Sequence, residues 1–323
     1  MTERLGGRDG IVQELRAGQR FLVVTHANPD GDAIGSSLGL RFVLESLGKQ
    51  AVVLIAEGPP YRYQYLPGVA EVVRSLPEGA RFDATVVLDT GELERVGGEL
   101  PDDDGRGRML NIDHHATSSG FADVTWRDEG ASSVGEMIHD LAGRLGVELT
   151  ADAAAALFCA VLTDTGSFRF SNTTPAALRA AADLVAAGAR PEAASSEIFF
   201  AHPAGRLFLL GRALATLEVV ASGRIASICV TREMLDAVGG DATWVDEFVD
   251  FPRSIAGVQV AILLRDYEPG QVKVSLRSRG RVDVARIAEG FGGGGHRPAA
   301  GATLDGTIDE VRGRIHAAVE AAL

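Results

Sequence analysis

The chain has 323 residues, enough for two domains of ordinary size, and 46% of them are hydrophobic, so a sizeable core can form. A formal net charge of −13 argues against a long basic surface for duplex nucleic acid, but it leaves room for a small anionic substrate held locally by metal ions. Cys159 and Cys229 stand alone in apolar runs as buried thiols, and with a polar N-terminus and no apolar run near ~18 residues the expectation is a soluble cytoplasmic protein without a membrane partner.

The first half alternates strand and helix signals. The apolar run 21–25 reads as a buried parallel strand. It leads into His26-Ala27-Asn28-Pro29-Asp30-Gly31-Asp32, where Pro29 and Gly31 turn the backbone and one imidazole and two carboxylates are offered within seven residues. A helical pattern follows at 33–47. Further short Val-, Leu- and Ile-rich strands are expected at 51–55, 84–88 and 109–112, and helices at 132–145, 151–163, 175–187 and 203–217. This is the grammar of an α/β fold, an open parallel sheet with helices on both faces, over residues 1–190. Residues 191–215 read as a linker and connecting helix. Beyond them, strands at 224–230, 258–264 and 272–276, a Glu268-Pro269-Gly270 hairpin turn, and helices at 284–289 and 308–322 describe a smaller α+β domain over 216–323.

Acids and imidazoles cluster where strands end. Strand 21–25 ends at His26, with Asp30 and Asp32 in its loop. Strand 84–88 ends at Asp89, and strand 109–112 ends at Asp113-His114-His115. A lone aspartate after a strand is commonly a turn former or a helix N-cap. Three strands delivering such groups to one rim is a different matter, because open α/β sheets bind ligands at the carboxyl ends of their strands. Asp164 adds a fourth element. It ends the Ala-rich helical run at 151–163, where the helix dipole disfavours a carboxylate unless a cation lies nearby. His26, Asp30, Asp32, Asp89, His114 and Asp164 are more ligands than one tetrahedral ion needs. They suit two divalent ions, Mn²⁺ foremost with Mg²⁺ or Co²⁺ as alternatives, rather than a closed structural zinc. Two close ions need a bridging carboxylate, and Asp89, from a strand between the other two groups, is the choice. Hydrolysis of a phosphate ester follows from such a site.

These residues spell a known pattern. The segments His26 to Asp32, Val87-Leu88-Asp89-Thr90, Asn111-Ile112-Asp113-His114-His115 and Leu162-Thr163-Asp164-Thr165-Gly166 resemble the four motifs of the DHH-family phosphoesterases. Gly292-Gly293-Gly294-Gly295-His296, followed by Ala299-Ala300-Gly301, resembles the DHH-associated C-terminal domain. The resemblance implies one metal on His26, Asp30 and Asp89 and another on Asp32, Asp89, His114 and Asp164. It also implies that His115 faces the scissile phosphate and that Asp113 orients the histidines. Size and domain order look most like the oligoribonuclease (nanoRNase)/pAp phosphatase branch. Short single-stranded RNA oligomers, pAp or dinucleotides are then the expected substrates, through cleavage of oligomers to mononucleotides and removal of the 3′-phosphate of pAp. A cyclic or linear dinucleotide phosphodiesterase (c-di-AMP, pApA) is the alternative on the same site, and a non-catalytic nucleotide sensor a remoter one.

In the second domain, Val274 to Arg279 alternates at strand period, with Leu276 on one side and Arg277 and Arg279 on the other. Arg277 and Ser278 match the family segment before the glycine run. Consecutive glycines let backbone N–H groups approach a phosphate or a base, so Gly293, Gly294, Gly295 and His296 join Arg277 and Ser278 as candidate nucleotide contacts. The absence of a basic track favours short oligomers over long strands. The sequence leaves the oligomeric state open, a homodimer included.

Overall fold

The computed structural model describes residues 6–115, 118–240 and 242–323, and the side chains of these except Ala242, Asp246 and His296. The chain divides into two units, Met1–Ala201 and His202–Leu323.

In the first unit the elements run α1 (Gly7–Ala17), β1 (Arg20–Thr25), α2 (Gly31–Ser46), β2 (Gln50–Leu54), β3 (Ala84–Leu88), α3 (Asp103–Arg106), β4 (Arg108–Asp113), β5 (Val124–Arg127), α4 (Val134–Leu145), α5 (Ala151–Asp164), α6 (Pro175–Ala186) and α7 (Pro191–Ser195). The five strands pair in parallel in the order β2-β1-β3-β4-β5. The chain therefore leaves β1 towards β2 on one side and returns to β3 on the other. A crevice opens at such a switch point, at the carboxyl ends of the strands. Alternation along β1 sends Phe21 and Val23 to one face and Leu22 and Val24 to the other. Helices α1, α2, α4 and α5 cover the first face. The opposite face is covered by loops and single 3₁₀ turns through Val73, Leu76, Leu93, Val96, Leu100 and Phe121, because the β2–β3 and β3–β4 connections carry no long amphipathic helix.

Helices α2 and α5 lie unusually close, for a reason written in three glycines. A Cβ built on Gly31 would stand 2.4 Å from Thr163 Oγ1, one on Gly35 2.4 Å from the Ala156 carbonyl oxygen, and one on Gly39 2.3 Å from a Leu157 methyl. The glycines recur every fourth residue and so form one stripe of α2, against which α5 runs antiparallel. This packing puts the C-terminus of α5 beside the N-terminus of α2.

The second unit runs α8 (Ala204–Leu214), β6 (Glu218–Val220), β7 (Ile225–Val230), α9 (Arg232–Asp236), α10 (Asp250–Arg253), β8 (Val260–Asp266), β9 (Gln271–Ser278), α11 (Val284–Glu289), β10 (Gly294–His296), β11 (Ala299–Asp305) and α12 (Ile308–Ala321). Its mixed sheet has the order β10-β11-β9-β8-β7-β6, with only β7 and β8 parallel. One face packs on α11 and α12 through Val284, Ile287, Val311 and Ile315, and the other on α8 through Leu209 and Ala213. The division between units, at 201/202, falls inside the segment read as a linker. Its connecting helix α8 groups with the second unit because its apolar face has the β7–β8 surface to cover, while α7 stays with the first. Strands β5, β6, β10 and β11 and helix α1 were not anticipated from sequence. The first two strands are short, β11 is rich in Ala and Gly, and α1 carries two glycines and buries only Gly10, Ile11 and Leu15.

Candidate metal centre

The carboxyl ends of β1, β3 and β4 bring His26, Asp89 and the Asp113-His114-His115 triplet to one rim, and the α2–α5 contact brings Asp30, Asp32 and Asp164 to the same place. Among the described residues, three overlapping groups have ligand atoms within 4.8 Å of one another: His26, Asp30 and Asp89; Asp32, His114 and Asp164; and Asp89, His114 and His115.

Asp89 sits at the centre. Its Oδ2 is 3.5 Å from His26 Nε2 and its Oδ1 is 3.5 Å from His114 Nε2. The residue is buried and takes a left-handed backbone (φ 59°), a conformation that Asp tolerates better than most side chains, which turns its carboxylate out of the line of β3. Asn111, fully buried on β4, steadies that turn by donating to the carbonyl oxygens of Val87 (3.2 Å) and Thr90 (2.9 Å).

Both proposed imidazole ligands have their tautomer set by a backbone carbonyl. Nδ1 of His26 faces the Ala27 oxygen at 2.9 Å, and Nδ1 of His114 faces the Ala131 oxygen at 3.3 Å. A carbonyl can only accept, so each Nδ1 carries the proton and each Nε2 faces the acids. Asp113 is wholly buried and orients one histidine rather than two. Its Oδ1 is 2.7 Å from His115 Nδ1, whereas His114 turns to Ala131.

The three outer carboxylates are held differently. Asp30 is also the N-cap of α2, its Oδ1 accepting from the N–H groups of Asp32 (3.0 Å) and Ala33 (3.1 Å), so the bland reading of this residue and the chemical one coexist on its two oxygens. Asp32 is buried and accepts from the N–H groups of Val134 (2.7 Å) and Gly135 (2.9 Å), the first residues of α4. A helix N-terminus thus stabilises its charge. Sequence reading missed this support, although Ser133, which caps α4, signalled where that helix begins. Asp164 closes α5, and it accepts from Asn172 Nδ2 at 3.2 Å, another residue the motifs did not single out.

The electrostatics show what the cluster lacks. His114 Nε2 lies 3.8 Å from Asp32, 3.5 Å from Asp89 and 3.8 Å from Asp164, distances of charge contact rather than of good hydrogen bonds. Burial alone would lower the pKa of His114, but Asp89, Asp32 and Asp164 outweigh it and push the group up to about 10. Burial likewise works against His26, and Asp89 and Asp30 raise it to about 9. Burial first, and then Asp30 and Asp89, push the Asp164 carboxyl up to about 7. Burial with the charges of Asp89 and Asp164 raises Asp32 well above the usual carboxylate range, while Asp89 is held below it by the two imidazoles despite its burial. A site that must retain protons to hold its own carboxylates together is short of positive charge. Among the described residues, one Asp89 oxygen, Oδ1, is buried without a hydrogen-bond partner. Hard carboxylate oxygens with two imidazole nitrogens are the donor set of a divalent ion, and the residues present fit one.

In the second unit, Arg277 and Ser278 lie at the end of β9, Arg277 half-buried and Ser278 buried, and the N–H of Ser278 donates to the Pro298 carbonyl at 2.8 Å. The glycine run is partly a strand. A Cβ on Gly293 would stand 2.1 Å from the Gly301 carbonyl oxygen and one on Gly295 2.6 Å from that of Ala299, so these two glycines admit the neighbouring backbone of β11. Only Gly294 of the three faces open space. The side chain of His296 lies outside the described ones.

The model of the DHH family, N-terminal domain, matches residues 20–161, and that of the DHHA1 domain matches residues 229–323. The chain is 41% identical over 301 residues to the bifunctional oligoribonuclease and PAP phosphatase NrnA of Thermus thermophilus, covering 92% of this chain and 88% of that protein. It is 29% identical over 304 residues to the protein of the same name from Bacillus subtilis, covering 91% and 92%. Among solved structures, an exopolyphosphatase-related protein from Bacteroides fragilis superposes with a TM-score of 0.89 at 26% identity, over 97% of this chain and 95% of that one.

Proposed function

This chain belongs to the DHH family, and from that premise we propose that it is a metal-dependent phosphohydrolase that cleaves short RNA oligonucleotides to mononucleotides and removes the 3′-phosphate of pAp. The observation that carries the reading in the structure is Asp89, with one oxygen turned to each imidazole, as a carboxylate shared by two ions would be. The likeness to the two NrnA proteins supplies the substrate class.

His26, Asp30 and Asp89 would hold one divalent ion, and Asp32, Asp89, His114 and Asp164 the other. Mn²⁺ suits this mixture of carboxylate and imidazole, with Mg²⁺ or Co²⁺ as substitutes. When bound, such ions make water nucleophilic near neutral pH and neutralise charge on the phosphoryl oxygens. The protein's own groups do the rest. Asp113 keeps a proton on Nδ1 of His115, so that from the imidazolium form Nε2–H would give its proton to the leaving oxygen of the ester and the ring would return to its neutral Nδ1–H form. The N–H groups of Val134 and Gly135 at the α4 N-terminus hold both oxygens of Asp32 in place. Arg277, Ser278, Gly293, Gly294, Gly295 and His296 would hold the nucleotide, Arg277 as the phosphate partner.

A hydrolysis panel with Mn²⁺ tests this reading. Di- to pentaribonucleotides, pAp, pApA, c-di-AMP and pyrophosphate would be ranked by kcat/KM. Short RNA and pAp should lead. A lead for c-di-AMP would move the chain to the dinucleotide phosphodiesterases, and hydrolysis of pyrophosphate alone would overturn the proposal.

A further inference from the structure

Beyond Asp164 the backbone makes a turn that few sequences tolerate. Gly166, Ser167 and Phe168 are left-handed in succession (φ 56°, 59° and 61°), two of them bearing side chains. The turn is tied to the end of α5. The N–H groups of Gly166 and Ser167 donate to the carbonyls of Thr163 (2.9 Å) and Leu162 (2.8 Å), that of Phe168 donates to Thr165 Oγ1 (3.1 Å), and those of Arg169 and Phe170 donate to the Thr165 carbonyl (both 3.0 Å). The effect is to fold the chain back, so that Asn172 meets the residue eight positions before it.

There the Asn172 amide nitrogen finds three acceptors: the Ser132 carbonyl at 2.9 Å, the Asp164 carbonyl at 3.1 Å and Asp164 Oδ2 at 3.2 Å. Two of these are backbone carbonyls, which can only accept, so the amide faces them with its nitrogen. Asp164 needs such a donor. Its carboxylate stands at the negative end of α5, among other acids, where the helix offers carbonyls and no N–H groups. Ser132 in turn precedes the cap of α4, the helix whose first N–H groups hold Asp32. One side chain therefore joins the mounts of Asp164 and Asp32.

We propose that Asn172 is a positioning residue that holds the Asp164 carboxylate in its ligating orientation toward the ion shared with Asp32 and His114. The proposal rests on the metal reading of the cluster. It assigns Asn172 no contact with substrate, so its loss should act through metal affinity.

The experiment is Mn²⁺ titration of the metal-free protein by calorimetry, with thermal melting and steady-state kinetics at several Mn²⁺ concentrations. Asn172→Ala should weaken one of the binding events about 10- to 100-fold, as loss of a ligand's hydrogen-bond partner does. Its kcat should recover as Mn²⁺ is raised, with the KM for RNA at saturating metal unchanged. Asn172→Ser keeps a donor and should show a smaller weakening, and it serves as the second variant if the alanine form does not fold. Thr173→Val, in the same turn, should bind Mn²⁺ as the wild type does. Wild-type Mn²⁺ affinity in a folded Asn172 variant, with only the melting temperature lowered, would make Asn172 a structural staple and overturn the proposal. A wild type that bound no Mn²⁺ would overturn the metal reading itself, and this proposal with it.

Discussion

Gly35→Ala tests whether the α2–α5 approach sets the site. The new Cβ would stand 2.4 Å from the Ala156 carbonyl oxygen, 2.9 Å from the Ala160 nitrogen and 3.0 Å from its Cβ. Two of these are backbone atoms that cannot rotate away, so relief requires the helices to part by about 1 Å. Overpacking of this kind costs ~1–3 kcal/mol, and the gain in helix propensity over glycine returns up to ~1 kcal/mol. The net loss is then at most about 3 kcal/mol, a fall in Tm of no more than ~12 °C for a unit of this size. The site should suffer more. Asp30 and Asp32 ride on the N-terminus of α2, and Asp164 on the C-terminus of α5. Separating them by ~1 Å exceeds the ~0.5 Å within which such constellations work and should lower kcat/KM on the order of 100-fold. The assay is a thermal melt beside hydrolysis of a short RNA at saturating Mn²⁺. Gly143→Ala on α4, where a Cβ meets nothing within 4 Å, is the control and should leave hydrolysis unchanged and the melting temperature unchanged or slightly raised by the helix-propensity gain. Retention of more than about a tenth of wild-type kcat/KM in Gly35→Ala would refute the reasoning.

Asp89→Ala should abolish turnover of every substrate, since it removes a ligand from both ions; more than a few per cent of residual kcat in the folded variant with Mn²⁺ would sink the shared-carboxylate assignment. Mn²⁺ binding at pH 7 should release at least about two protons, because His26 (about 9) and His114 (about 10) are charged in the metal-free site and must be neutral to ligate, and the raised Asp32 and Asp164 carboxyls add to the release; calorimetry in buffers of different ionisation heat reads this, and zero release contradicts it. Both values are raised, so the stabilisation these imidazoles give the metal-free protein is present below about pH 6.5 and lost as pH rises through about 9 to 10; its melting temperature should fall over that window, and an unchanged one would count against the cluster. Arg277→Ala should raise the KM for nucleotides with metal content intact, and loss of bound metal would contradict the division between the units. Hydrolysis should fall steeply for RNA beyond about five nucleotides and depend only modestly on salt, whereas equal rates on long strands with a steep salt slope would reveal a basic track.

Local chemistry determined a large part of this protein. The strands β1, β3 and β4 were legible because a buried parallel strand is a short unbroken apolar run, and the residues that end them were legible because three strands deliver acids and imidazoles to one rim. The glycine stripe Gly31, Gly35 and Gly39 was equally visible as letters, yet its meaning depends on Thr163, Ala156 and Leu157, more than a hundred residues away, and no local pattern reports that distance. The same holds for the Asp32 carboxylate on the α4 N-terminus and for Asn172 on Asp164, which join segments whose own periodicities are unrelated. Asp113 shows the limit most finely. Sequence placed it beside two histidines, and only the fold decided that it serves His115 while His114 faces the Ala131 carbonyl instead. Composition and spacing thus determined which groups reach the sheet's rim, since strand and helix periods are properties of the local chain. Which oxygen faces which imidazole, and what holds it there, depends on the close approach of distant backbone, and that was decided by tertiary packing.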